Sequence, residues 1–126
     1  MEQVTALQPA EQVRLDADRL EALYIQLGTR GAEDVVCRAL EEIAGRLARA
    51  EHDYRAARFT GMRKACRGLV GMADEVGMAL MARVARDVTM AIDAGDGTAL
   101  AATFARLLRI AERSLCEIWD MQDGAF

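Results

Sequence analysis

Apolar residues recur along this chain at the spacing of a helix, not of a strand. Five segments carry the pattern. The first is expected from about Pro9, which suits a first helical turn, to Leu27, with Leu20, Leu23, Tyr24 and Leu27 on its apolar side and Gly28 as its stop. The second is expected from Ala32 to Tyr54. Its stripe is Val36, Leu40, Ile43 and Leu47, and Glu33 and Asp34 lie in its first turn, at the positive end of the helix dipole. The third, Phe59 to Val76, turns Met62, Cys66, Leu69, Ala73 and Val76 inward and closes at Gly77. The fourth, Met78 to Ala94, turns Leu80, Met81, Val84, Val88 and Ile92 inward. The fifth begins near Asp96 to Thr98, which offer capping side chains. It continues through Leu100, Phe104, Leu107, Leu108, Leu115 and Ile118 to about Trp119, leaving Gln122 to Phe126 as a frayed tail.

The connections are short: Gly28 to Gly31, Arg55 to Arg58, Gly77, and Gly95 to Gly97. Short links force neighbouring helices antiparallel. The expected fold is therefore all-α, an up-down four-helix bundle with an additional N-terminal helix, forming a single domain over residues 1–126. No internal repeat, low-complexity tract or linker interrupts it.

Composition narrows the function classes. Hydrophobic residues make up 52% of the 126 residues and charged residues 29%, the balance of a globular chain and not of a disordered one. Sixteen basic against twenty acidic residues give a net charge of −4, which removes most of the electrostatic case for a nucleic-acid partner. A single histidine, His52, leaves little with which to build a multi-histidine metal site or histidine-centred catalysis. Cys37, Cys66 and Cys116 have no CxxC spacing and are expected to be reduced and mostly buried. Met1 to Ala10 lacks a basic region followed by an apolar run, and no stretch approaches 18 apolar residues. The expected compartment is the cytoplasm, with no membrane partner. Glu-x-x-His pairs and a G-x-x-x-x-G-K-[ST] loop are both missing, and Ser114 has no His or Lys near it in sequence. No catalytic centre, metal or cofactor is expected.

The chemistry concentrates on the third segment. It holds Gly61, Gly68 and Gly71, and each glycine inside a helix costs roughly 1 kcal/mol relative to alanine. On a helical wheel Lys64, Arg67, Gly71 and Asp74 share one face, opposite the apolar stripe, with Arg63 adjacent and Gly68 beside Arg67. The result is a basic, small-residue surface onto which a partner could close, its cations meeting a carboxylate or phosphate.

Cys66-Arg67-Gly68-Leu69-Val70-Gly71, followed by Met72 to Met78, resembles the histidine phosphotransfer (HPt) domain of bacterial two-component signalling. That family carries A-H-x-L-K-G, then small or polar residues and a helix-to-helix turn. Leu69 and Gly71 match the motif, Gly77 matches the turn, Leu15 to Gly28 looks like the leading helix and Gly95-Asp96 like the turn before the last helix. The resemblance spans about Leu15 to Leu115. It departs where the family's chemistry resides: Arg67 occupies the position of the phosphoryl-accepting histidine, and Val70 that of the accompanying lysine. A guanidinium stays protonated and has no lone pair with which to attack phosphorus. The resemblance thus implies a docking scaffold without phosphotransfer. Its partner would be the acidic pocket of a response-regulator receiver, or a sensor-kinase element that mimics one, met by Arg63, Lys64, Arg67, Gly68, Gly71 and Asp74.

Plainer readings stand beside this one. The basic residues also fit a solvated helix face. His52 fits either a displaced phosphoacceptor or a surface histidine near a helix C-terminus, where its charge is favourable. Met62, Met72, Met78, Met81 and Met90 fit either an adaptable binding surface or a core filling. Trp119, with Ile118 and Phe126, fits either a cover over the first helix or a homodimer seam. The alternatives for the whole chain are a structural or dimeric assembly module and, less favoured, a ligand carrier or enzyme that uses the bundle interior.

Overall fold

The computed structural model describes the backbone of residues 17–125 and the side chains of residues 18–116. It contains four helices, α1 (Ala17–Arg55), α2 (Phe59–Glu75), α3 (Ala79–Ala94) and α4 (Gly97–Ala125), and no strand among the described residues. Five expected segments count as four helices because the first two abut across a kink. Gly28, at φ 76° and ψ 171°, breaks α1 where the first segment is expected to stop, and helical backbone resumes directly after it. That backbone region is open essentially to glycine alone. The expected start at Pro9 lies outside the described residues. At the other end α4 continues to Ala125, beyond the expected limit near Trp119 and through the supposed frayed tail, since no proline follows to stop it.

The three turns after α1, α2 and α3 are built alike. Arg58 N–H donates to Asp53 C=O at 2.7 Å, Met78 N–H to Ala73 C=O at 2.7 Å, and Asp96 N–H to Ala91 C=O at 3.2 Å. Each is the long bond of a Schellman motif, and the residue just before each donor, Ala57, Gly77 or Gly95, is left-handed at φ 57°, 80° and 66°. The same three donors then open the next helix: Arg58, Met78 and Asp96 carbonyls accept from Met62, Ala82 and Leu100 N–H. Asp96 adds a side-chain cap, accepting from Ala99 N–H at 3.0 Å, as its position before the last helix predicts.

Such tight turns fold each helix back along its predecessor. Arg63 of α2 meets Asp93 of α3, while Asp74 meets Arg86, so the two helices run antiparallel. Packing follows chain order, α1 on α2, α2 on α3 and α3 on α4. Tyr54, near the end of α1, packs its ring against Phe104 of α4, with centroids 5.2 Å apart at 48°. The core between the helices holds Val36, Leu40, Ile43, Met62, Cys66, Leu69, Val84, Val88, Leu107 and Ile110. The stripe expected on α2 is buried in full, from Met62 to Val76. Leu27 departs from its expected inward place and is 44% exposed, one residue before the break at Gly28. The cysteines also differ from expectation: all three are free, but only Cys66 is buried, while Cys37 and Cys116 are exposed. Both exposed positions lie off the buried stripes of their helices, Val36, Ala39, Leu40 and Ile43 on α1 and Leu107, Ile110, Ala111 and Ser114 on α4.

Candidate functional site: a glycine-notched basic face on α2

One side of α2 is sealed by Met62, Ala65, Cys66, Leu69 and Ala73. The other side presents Lys64, Arg67, Gly71 and Asp74 to solvent. Three flanking arrangements define what this face can do.

Toward α3, Arg63 grips Asp93 with both arms of its guanidinium. Nε donates to Oδ1 at 2.6 Å and Nη2 to Oδ2 at 3.0 Å, the bidentate geometry that suits arginine and carboxylate. These hydrogen bonds hold the Asp93 carboxyl below its ordinary value, helped by the charges of Arg63 and then Arg67, and raise Arg63 in turn. Eleven residues along α2, Asp74 Oδ2 accepts from Arg86 Nη2 at 3.2 Å. Arg63 and Asp74 are therefore committed to the α2–α3 contact. Met90, 66% exposed, stands on α3 one turn from both Arg86 and Asp93, the two residues that reach across to α2.

Toward α1, two of the three glycines find their reason. A Cβ on Gly61 would lie 2.5 Å from Oδ2 of the buried Asp53, and one on Gly68 would collide with the Arg46 guanidinium, its Cζ only 2.6 Å away. These glycines let α1 side chains lie directly on the α2 backbone. Between them opens a cleft of about 460 Å³, lined by Glu42, Gly45, Arg46 and Arg49 of α1 and by Gly61 and Lys64 of α2.

At the centre, Arg67 and Gly71 remain in the open. A Cβ on Gly71 would meet nothing within 4 Å. Directly behind Arg67, Cys66 is buried, and loss of solvation pushes its thiol up to about 12, so it is no nucleophile at neutral pH. Val70 is half-buried against the core.

The structure thus places Lys64, Arg67 and Gly71 together on an open face, Arg63 and Asp74 in ion pairs at its border, and Gly68 under Arg46. His52 is exposed in the last turn of α1. Met62, Met78 and Met81 fill the core, Met72 is half-buried, and Met90 alone of the five is exposed. The side chains of Ile118, Trp119 and Phe126 lie outside the described residues. Sequence reasoning missed Glu42, Arg46 and Arg49, although their i, i+4, i+7 spacing beside the stripe of α1 puts them on one side of that helix.

Among the described residues, no group of three or more His, Cys, Asp or Glu side chains is placed to hold a metal ion. No helix there is long and apolar enough to cross a membrane. Among the described residues, Ser114 Oγ is buried without a hydrogen-bond partner. Compared with protein-family models, with curated proteins and with solved structures, the chain matches none.

Proposed function

We propose that this chain is a non-catalytic, HPt-like interaction domain of two-component signalling, a helical bundle in the cytoplasm whose α2 face docks a receiver domain or a sensor-kinase element. One observation carries the reading: Arg67 is exposed at mid-α2, with Lys64 one turn before it and open Gly71 one turn after, in the register where the resemblance puts the phosphoacceptor. A guanidinium there offers two parallel donors to an aspartate or to a phosphoryl-aspartate, and accepts no phosphoryl group. The Arg63–Asp93 and Asp74–Arg86 pairs hold α3 alongside α2, and Met90 supplies an adaptable apolar contact next to the cations. The partner surface so described is acidic with an apolar rim.

Affinity capture from a native lysate, with wild type and Arg67→Glu compared by mass spectrometry, tests this. A receiver or sensor kinase retained by wild type and lost with the variant is the expected result. Equal capture by both would sink the role of this face. A second reading, a dimeric assembly module, draws on the exposure of Ile25 (78%) and Leu27 (44%) beside the break in α1. Capture of nothing but the chain itself by both proteins would favour it.

A further inference from the structure

The α1–α2 cleft borders the Arg67 face and shares Lys64 with it, and we infer that it binds the phosphate group of a small, soluble phosphomonoester. The inference does not rest on the docking reading. Three cations, Arg46, Arg49 and Lys64, converge on a concavity whose floor is glycine and alanine: Gly45, Gly61 and Ala65. None of the three has a hydrogen-bond or ion-pair partner among the described residues, whereas Arg55, Arg63 and Arg86 each have a carboxylate. Three cations face the carboxylate of Glu42, with the buried Asp53 carboxylate behind Gly61, and so leave a positive surplus in a chain whose net charge is −4. A phosphate presents enough oxygens to engage both guanidinium forks and the ammonium together, which the two oxygens of a carboxylate do not.

The cleft is also built to hold its cations in place. Arg46 is half-buried and its guanidinium lies against the backbone at Gly68, where any side chain would displace it. A glycine retained mid-helix at a cost in stability is thereby explained by the placement of a charge. Two guanidinium forks suit the tetrahedral oxygens of phosphate, and Lys64 adds a point charge from the facing helix. A volume of about 460 Å³ exceeds the need of a lone phosphate and falls within the range of small-molecule sites, leaving room for the organic part of a monoester.

The test is calorimetric titration of the full chain with glycerol phosphate at pH 7.5 and constant ionic strength. Saturable one-site binding is expected, with the Arg46→Gln/Arg49→Gln double variant weaker by about tenfold or more. Gly68→Ala favours the helix yet evicts Arg46, so it should bind several-fold more weakly while melting no lower than wild type. Gly97→Ala, in open space at the start of α4 and outside the cleft, should bind as wild type does. Binding should weaken from pH 7.5 to pH 5, because the phosphomonoester takes up its second proton near pH 6; sulfate, a dianion throughout, should show no such loss. No saturable binding by wild type overturns the inference. Binding that survives both the double variant and Gly68→Ala overturns it equally, as does a pH response that sulfate shares.

Discussion

Ala57 is the one non-glycine among the described residues with a positive φ, at 57°, and it stands where Gly77 and Gly95 stand in the other two turns. All three turns make the same long Schellman bond, so the backbone demand is the same at each. A Cβ in the left-handed region crowds the neighbouring carbonyl and costs roughly 1–2 kcal/mol. Glycine would relieve that strain but lose more conformational entropy on folding. The balance favours Ala57→Gly, with an expected gain of about 0.5–1 kcal/mol. Urea unfolding monitored by circular dichroism measures it; a midpoint at or below that of wild type would contradict the strain. The comparison also marks what a sequence can disclose. Gly77 and Gly95 announce their turns by residue type, whereas Ala57 announces nothing, and the break there is legible only because the apolar stripe changes phase between Tyr54 and Met62. The glycines of α2 were legible as anomalies but not as solutions. Gly61 and Gly68 accommodate Asp53 and Arg46, and a helical wheel of α2 contains no information about which α1 side chains lie over it.

Along an element, the stripe of α2 shows how far periodicity reaches. Met62, Cys66, Leu69, Ala73 and Val76 are all buried, because a helix one turn longer or shorter still turns the same residues inward. The opposite face is defined by tertiary partners that spacing cannot supply, and two of its six expected contact residues are engaged with α3 instead. The Arg63–Asp93 pair makes that engagement measurable. Its carboxyl is held below the ordinary value of 3.8, first by the Arg63 hydrogen bond. A carboxyl depressed in the folded state adds stability above its unfolded value, and the addition is lost as pH falls through the folded one. Asp93→Asn is therefore expected to melt below wild type at pH 7, and the two curves should meet once the pH is well under 3.8. Both groups are exposed, so high salt should shrink the gap at pH 7. A difference that persists unchanged at pH 2 would assign the loss to packing instead of charge.

At the scale of the whole molecule, α2 packs on α1 and on α3, α3 packs on α4, and Tyr54 against Phe104 brings α1 to α4. Within the described part of α1, the segment before Gly28 is held less than the one after it. Leu20 is buried there, Leu23 and Tyr24 are half-buried, and Ile25 and Leu27 are exposed. One polar tie there is Arg19 Nε, which donates to the carbonyl of Glu75 at the end of α2 at 3.1 Å. Beyond Gly28 the same helix sets Ala32, Val36, Ala39, Leu40, Ile43 and Ala50 into the core. The non-helical backbone at Gly28 interrupts the hydrogen-bond ladder between these two parts, so the cooperativity that would bind their stabilities together is broken at that residue. Opening of residues 17–27 then uncovers Leu20 and breaks the Arg19–Glu75 bond but leaves the core contacts made beyond Gly28 in place, which is the condition for a local unfolding unit. Native-state hydrogen exchange should show these amides exchanging well before those of residues 36–50, and with little dependence on low concentrations of denaturant. Arg19→Ala, which removes the tie to Glu75, should speed exchange in residues 17–27 and leave residues 36–50 as they were. Equal protection across Gly28, or acceleration in both parts together, would mean that α1 opens as one helix and that the glycine bends the ladder without dividing it.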